Sequence, residues 1–252
     1  MNRVKLTAIV LRAVDYGESD RVITLFSRER GKVSAFARGA RASRRRFGGA
    51  LEPFTLVTAE ARERSGSDLL GLDAVTPVRA FGGIRGDLAR IACAGYAVEL
   101  ARELVREHEP HDELFRLLET YLGELDAAPA RPWGLRAFEM GALGAAGFLP
   151  RVDACARCGA DLPPGDALRF DPPKGGVLCD RCAAFAAPGW LGLSGDTRAA
   201  LLGLQAAPGA GDPVVGQARE AREALTRFIE HVLGRPLPSR KFLDEIGPAL
   251  GG

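Results

Sequence analysis

Cys155 and Cys158 form one C-x-x-C pair and Cys179 and Cys182 another, with twenty residues between the inner members. Four thiolates can close a tetrahedral shell around zinc, and a closed shell leaves no position for water or substrate. The chemistry expected of these residues is therefore structural: one Zn2+ stapling a segment that has little apolar core of its own. Gly159 suits a tight knuckle after the first pair. Pro163, Pro164, Pro172, Pro173, Gly175 and Gly176 keep the intervening chain from forming long helices or strands. Iron also suits four cysteines, and two redox-active pairs or four metal-free thiols are the other readings of the same formula. Arg157 and Arg181, inside the two pairs, are compatible with phosphate contact or with ordinary solvation.

A second concentration of chemistry lies near the start of the chain. Residues 1–46 hold twelve Lys and Arg against four Asp and Glu, whereas the whole chain of 252 residues carries a formal net charge of only +2. Such polarity invites a negatively charged partner at one end. Arg38, Arg41, Arg44, Arg45 and Arg46, followed by Phe47, fall in one short segment, with Lys32 shortly before it. Guanidinium groups spaced in this way neutralise phosphates without reading bases, so affinity should fall as salt rises. Phe47, between arginines and glycines, is expected to be exposed for base stacking. Phe26, Phe36 and Phe54 are assigned mainly to a core, and Tyr16 is a weaker stacking candidate.

The elements that must position these groups follow two periodicities. Residues 5–12, 21–27, 32–38, 54–61 and 69–78 are short runs rich in Val, Ile, Leu, Thr and Phe, separated by turn material such as Asp15-Tyr16-Gly17 and Gly48-Gly49. Five strands with a long third connection suit a small antiparallel barrel of the oligonucleotide-binding type, and by pattern alone also a sandwich or an SH3-like barrel. From Gly82 onward apolar residues recur at helical spacing, through Ile84, Leu88 and Ile91, then Leu114 to Leu125, Leu135 to Leu143, and Ala221 to Leu233. The expected domains are a barrel over residues 1–80 and a helical domain over 81–252, with a cysteine module at 150–190. Residues 206–213 read as a loop, and Gly251 and Gly252 as a frayed end.

Several functions find no residues to support them. The histidines are His108, His111 and His231, and none sits in a known catalytic spacing. No phosphate-binding G-x-x-x-x-G-K-[ST] loop, H-E-x-x-H or G-x-S-x-G motif occurs, so the protein is not expected to be an enzyme. No apolar run approaches the about 18 residues of a membrane span, and no secretion signal is evident, which leads to a cytoplasmic expectation.

Four stretches together carry a family resemblance. AIVLRAVDYGESDRVITLFSRERGKVSAFARGARASRRRFGGALEPF at residues 8–54, FEMGALGAAGFLPRVDACARCG at 138–159, GGVLCDRC at 175–182 and LTRFIEHVLGRPLPSRKFL at 225–243 resemble, in order, segments of the bacterial recombination mediator RecO family. The resemblance implies an α+β multidomain chain: an N-terminal five-stranded OB-fold barrel, then a mainly α-helical domain with a four-cysteine zinc-binding insertion. It further implies binding of single- and double-stranded DNA, strand annealing, and cooperation with RecR in loading RecA onto DNA covered by single-strand-binding protein, in a nucleoid setting. All four cysteines of the family's zinc-bearing branch are present, whereas other members lack some or all of them. A zinc-stapled RNA- or ribosome-associated binding module without annealing activity is the alternative.

Overall fold

The computed structural model describes residues 2–64, 66–163, 165–206 and 215–246, except the side chains at 44, 206, 215 and 216. The loop read at 206–213 lies almost entirely outside the described residues, as do Gly251 and Gly252. The chain divides into two compact units, Met1–Ala128 and Pro129–Gly252.

In the first unit, β1 (Arg3–Tyr16), β2 (Asp20–Ser27), β3 (Gly31–Ala37), β4 (Leu56–Arg64) and β5 (Ser67–Arg79) close a barrel in the order β1-β2-β3-β5-β4, with β4 pairing back to β1. All pairs are antiparallel except β3 with β5. This is the OB-fold arrangement that the sequence led us to expect. The period-2 alternation sends Val33, Ala35 and Ala37 of β3 inward, where they join Leu6, Ala8, Val10, Ile23 and Leu25. Many of these inward residues are alanines, which suits the narrow interior of a five-stranded barrel. β1 serves two partners at once, since Ala8 opposes both Ser27 of β2 and Val57 of β4, and its register breaks between Val10 and Arg12. A bulge of this kind bends a strand so that a sheet can close.

Residues 38–55 connect β3 to β4 and contain one helical turn, α1 (Arg44–Phe47), which ends at Gly48 in the left-handed region. After β5 and a 3-10 turn (Gly82–Gly86) come α2 (Leu88–Leu104), started by the Asp87 carboxylate accepting from the Arg90 N–H, and α3 (Asp112–Ala127). Both helices belong to the first compact unit. Gly31, with φ of +62°, lies so close to the Glu109 backbone that a Cβ there would collide with its carbonyl.

The second unit contains α4 (Pro132–Ala145), a three-stranded sheet of β6 (Leu168–Asp171), β7 (Gly176–Leu178) and β8 (Leu191–Leu193), and the short α5 (Asp180–Ala183). It continues with α6 (Gly195–Ala206), α7 (Val215–Leu233) and α8 (Pro238–Ile246). The sheet order is β7-β6-β8, and Pro132 opens α4 at a position where a missing N–H costs nothing.

Candidate nucleic-acid face and metal centre

The third barrel connection is held against the turn between β1 and β2 by its backbone. The Gly39 N–H donates to Asp20 Oδ1 at 2.7 Å, the Arg41 N–H to the Ser19 carbonyl at 3.0 Å, and Arg41 Nη1 to the Glu18 carbonyl at 3.1 Å. Arg46 folds back on the same segment, donating to the Arg38 carbonyl at 2.6 Å and to Ser43 Oγ at 3.2 Å. Arg38, Arg41, Arg45 and Arg46 are all exposed, and the side chain of Arg44 lies outside the described residues. The carboxylates nearby are largely engaged by Arg21, which reaches Asp15 at 2.8 Å and Glu52 at 3.0 Å. These hydrogen bonds raise the Arg21 pKa, those with Glu52 first, and keep it charged. Arg41 stands 4.0 Å from Asp15, whereas Arg38 and Arg45 have no carboxylate partner among the described residues.

Two of the residues selected from sequence take other roles. Phe47 is 2% exposed and closes the barrel core together with Ala50 and Leu51, so its ring offers no free face to a base. A large apolar ring beside an open barrel end gains more from burial than from solvent. Arg46 covers it, 4.9 Å from the ring centroid. Lys32 is the second residue of β3, about 20 Å along the strand from Arg38, and its ammonium donates to the Arg102 carbonyl at 3.0 Å with Glu107 at 3.5 Å. It ties the barrel to the last turn of α2 and the segment after it, and does not join the arginine cluster.

The outer aromatic surface is formed instead by Phe36 and Tyr16. Phe36 points outward on β3, and the exposed Tyr16 meets it edge-on, with centroids 5.8 Å apart. Arg64, at the end of β4, lies 5.7 Å from the Phe36 centroid. Gly71, opposite Phe36 on β5, leaves room for Arg62 and Arg64 to cross the sheet, since a Cβ there would come within 3.3 Å of Arg62 Cγ. Sequence reasoning weighted Tyr16 lightly and left out Arg64. The strict alternation of β3 was the signal for Phe36, because inward Val33, Ala35 and Ala37 leave residue 36 outside.

In the second unit, the four cysteine Sγ atoms lie within 4.8 Å of one another. Cys158 and Cys179 are 3.7 Å apart, close to the roughly 3.8 Å edge of a tetrahedron with 2.3 Å metal–sulfur bonds. The first knuckle is closed by the Cys155 N–H to the Ala160 carbonyl and the Gly159 N–H to the Cys155 carbonyl, both 2.9 Å, with Gly159 at φ of +73°. The second opens α5, with Cys179 at its N-cap. Burial works against the Cys155 thiolate, yet the backbone N–H groups of Cys179, Cys158 and Arg157 outweigh it and lower its pKa to about 6. Burial and then the other three thiols push Cys182 up to about 12. Four sulfurs this close can all give up their protons only around a cation, so the donor set fits a thiophilic divalent metal.

Arg198 of α6 locks this module from behind. It is 4% exposed and donates to the carbonyls of Val152 at 2.8 Å, Pro163 at 2.6 Å, Asp153 at 3.1 Å and Leu162 at 3.2 Å. Nothing in its local sequence distinguishes it from other helical arginines, because its partners are carbonyls from a loop some 40 residues away.

The chain matches the family model described as recombination protein O N terminal over residues 1–81, and the one described as recombination protein O C terminal over residues 85–241. It belongs to the RecO family. The DNA repair protein RecO of Anaeromyxobacter dehalogenans strain 2CP-C is 70% identical over the full length of both chains. That of Myxococcus xanthus is 48% identical, covering 98% of this chain and 99% of the relative, and that of Geobacter sulfurreducens is 42% identical, covering 98% and 100%. The RecO barrel thus carries the arginine face, and the RecO C-terminal region carries the four cysteines. Among the described residues no helix is long and apolar enough to cross a membrane.

Proposed function

We propose that this chain is a non-enzymatic DNA repair mediator that binds single- and double-stranded DNA through its barrel and anneals complementary strands. With RecR, it helps load RecA onto DNA coated by single-strand-binding protein, in the cytoplasm at the nucleoid. The observation that carries the DNA-binding part is the exposed group of Arg38, Arg41, Arg45 and Arg64 beside the outward Tyr16–Phe36 pair. It occupies the barrel surface by which OB folds take up oligonucleotides, the β2–β3 face and the adjoining loops. Guanidinium groups there screen the repulsion between two phosphate backbones, while base pairing supplies specificity and driving force. No nucleotide hydrolysis is needed for such a step. RecR and single-strand-binding protein are assigned from family membership, and the helical region after residue 80 is the part left to recruit them. For the metal we propose one structural Zn2+ held by Cys155, Cys158, Cys179 and Cys182.

The test is equilibrium binding of a single-stranded oligonucleotide across a salt series. Replacing Arg38, Arg45 and Arg64 together by Ala should weaken binding and reduce the slope of log K against log salt by about 2, at about 0.7 per phosphate contact. The melting temperature should be unchanged. An unaltered slope would remove the barrel face from the account, and preference for structured RNA without annealing would replace the DNA reading.

A further inference from the structure

The cysteine module exposes two aromatic rings with no role in the metal shell. Phe185 is 60% exposed and Trp190 is 43% exposed, while the other tryptophan, Trp133, is buried. Each exposed ring carries a guanidinium on its face. Arg157, from inside the first C-x-x-C, sits 3.8 Å from the Phe185 centroid, and Arg169 of β6 sits 4.6 Å from that of Trp190. Arg169 is fixed there by donating to the Ala183 carbonyl at 2.9 Å. The same arginine helps line a depression of about 300 Å³ together with Leu168, Leu178, Asp180, Ala183 and Ala184. Both aromatic stacks adjoin it, one through Arg169 and the other through the chain step from Ala184 to Phe185.

Residues 150–190 carry five basic and five acidic side chains, but most of the basic ones are left without an ion pair. Arg157, Arg169, Arg181 and Lys174 have no carboxylate partner among the described residues. Asp153 pairs with Arg151 at 3.7 Å, and Asp171 is buried, accepting from the Ala187 N–H at 2.7 Å and the Lys174 N–H at 3.3 Å. Cation beside ring, repeated twice around a small depression, matches a polymer that alternates phosphate and base.

We propose that the cysteine module holds a second strand-binding site for single-stranded DNA. Bases stack on Phe185 and Trp190, one base enters the depression between them with Arg169 and Asp180 at its edge, and the intervening phosphates meet Arg157, Arg181 and Lys174. The site rests on the DNA-binding reading of the chain but not on the barrel face. A second strand site on the same molecule would add to the barrel's screening by holding one partner strand while the other lies on the barrel.

Trp190 supplies its own probe. The metal-loaded full chain is titrated with an oligothymidylate while tryptophan emission is followed, in the parent chain, in Trp190→Phe, and in the Arg38→Ala/Arg45→Ala/Arg64→Ala barrel variant. Stacking predicts quenching in the parent that persists in the barrel variant and disappears in Trp190→Phe, where Trp133 is the remaining reporter. In the barrel background, Phe185→Ala with Trp190→Phe should weaken oligonucleotide binding by a further tenfold or so, with metal content as the folding control. Should that double variant lose metal, quenching in the unsubstituted module decides the matter. Emission that stays constant at saturating oligonucleotide overturns the module site, whether or not the barrel binds. If instead the barrel variant binds as tightly as the parent while quenching persists, the barrel reading fails and the module site stands.

Discussion

Phe36 and Phe47 lie in the same arginine-rich stretch and do opposite work. Phe47 fills the end of the barrel, so Phe47→Ala should cost about 3–5 kcal/mol of stability in chemical denaturation, the usual range for a buried ring. Phe36 faces outward beside Tyr16 and Arg64, so Phe36→Ala should leave the unfolding midpoint nearly unchanged while weakening single-strand binding about tenfold. Flanking residues alone gave the reverse assignment, because arginines and glycines around Phe47 look like a surface loop. A one-turn helix that folds its apolar residue back into a barrel leaves no periodic trace in four residues. The clustering of the four cysteines was legible, since residue type and spacing point to a shared site directly. Arg198 was not legible, although Arg198→Met should lower stability by about 3 kcal/mol or more and weaken metal retention, because four carbonyls lose their buried donor. Denaturation and metal stoichiometry of the same sample would check both effects.

At the scale of elements, the strands could be read because each turns one face to the core, and β3 does so without exception. The ends were less visible: β1 runs on to Tyr16 and β5 to Arg79, beyond the apolar runs, because a closed barrel lets strands extend past their buried part. The short strands β6, β7 and β8 had no sequence signal, since three or four residues are too few to show a period and their pairing joins separate stretches of chain. α6 begins at a polar lock whose partner is on another helix. Glu220 Oε2 of α7 accepts from the Ser194 N–H at 2.9 Å, Ser194 Oγ at 2.7 Å and Thr197 Oγ1 at 2.8 Å. Burial alone would raise the Glu220 pKa, but these donors and Arg219 lower it below its usual 4.5. A depressed carboxylate stabilises the fold above its unfolded pKa, and that contribution is lost as pH falls through the lower folded value. The second unit should therefore lose stability as pH falls below about 4.5. In Glu220→Gln that part of the acid sensitivity should be absent and stability at neutral pH should be lower, as measured by denaturation at several pH values.

For the whole molecule, two compact units carry two separate chemistries. Chelation of the proposed metal should destabilise the second unit, because the four thiols are left as close, partly charged neighbours, while the barrel of the first unit keeps its melting and the salt-dependent DNA binding proposed for it. Calorimetry before and after chelation would separate the two transitions. The broad organisation, a basic barrel followed by helices with a cysteine insert, could be read from charge distribution and change of period. The point at which compactness divides the chain could not, since α2 and α3 read as helices like those after them, and the contacts of Lys32, Gly31 and Arg28 with the α2–α3 region are made at long range. The proposed strand annealing depends above all on the barrel's exposed arginines bringing two DNA strands together. Its most direct test is the annealing rate of complementary strands coated with single-strand-binding protein, followed across a salt series for the parent chain and for Arg38→Ala/Arg45→Ala/Arg64→Ala. The parent should accelerate annealing strongly at low salt and progressively less as salt rises, with the variant slower and less salt-sensitive throughout. Equal rates and equal salt dependence in the two proteins would contradict it.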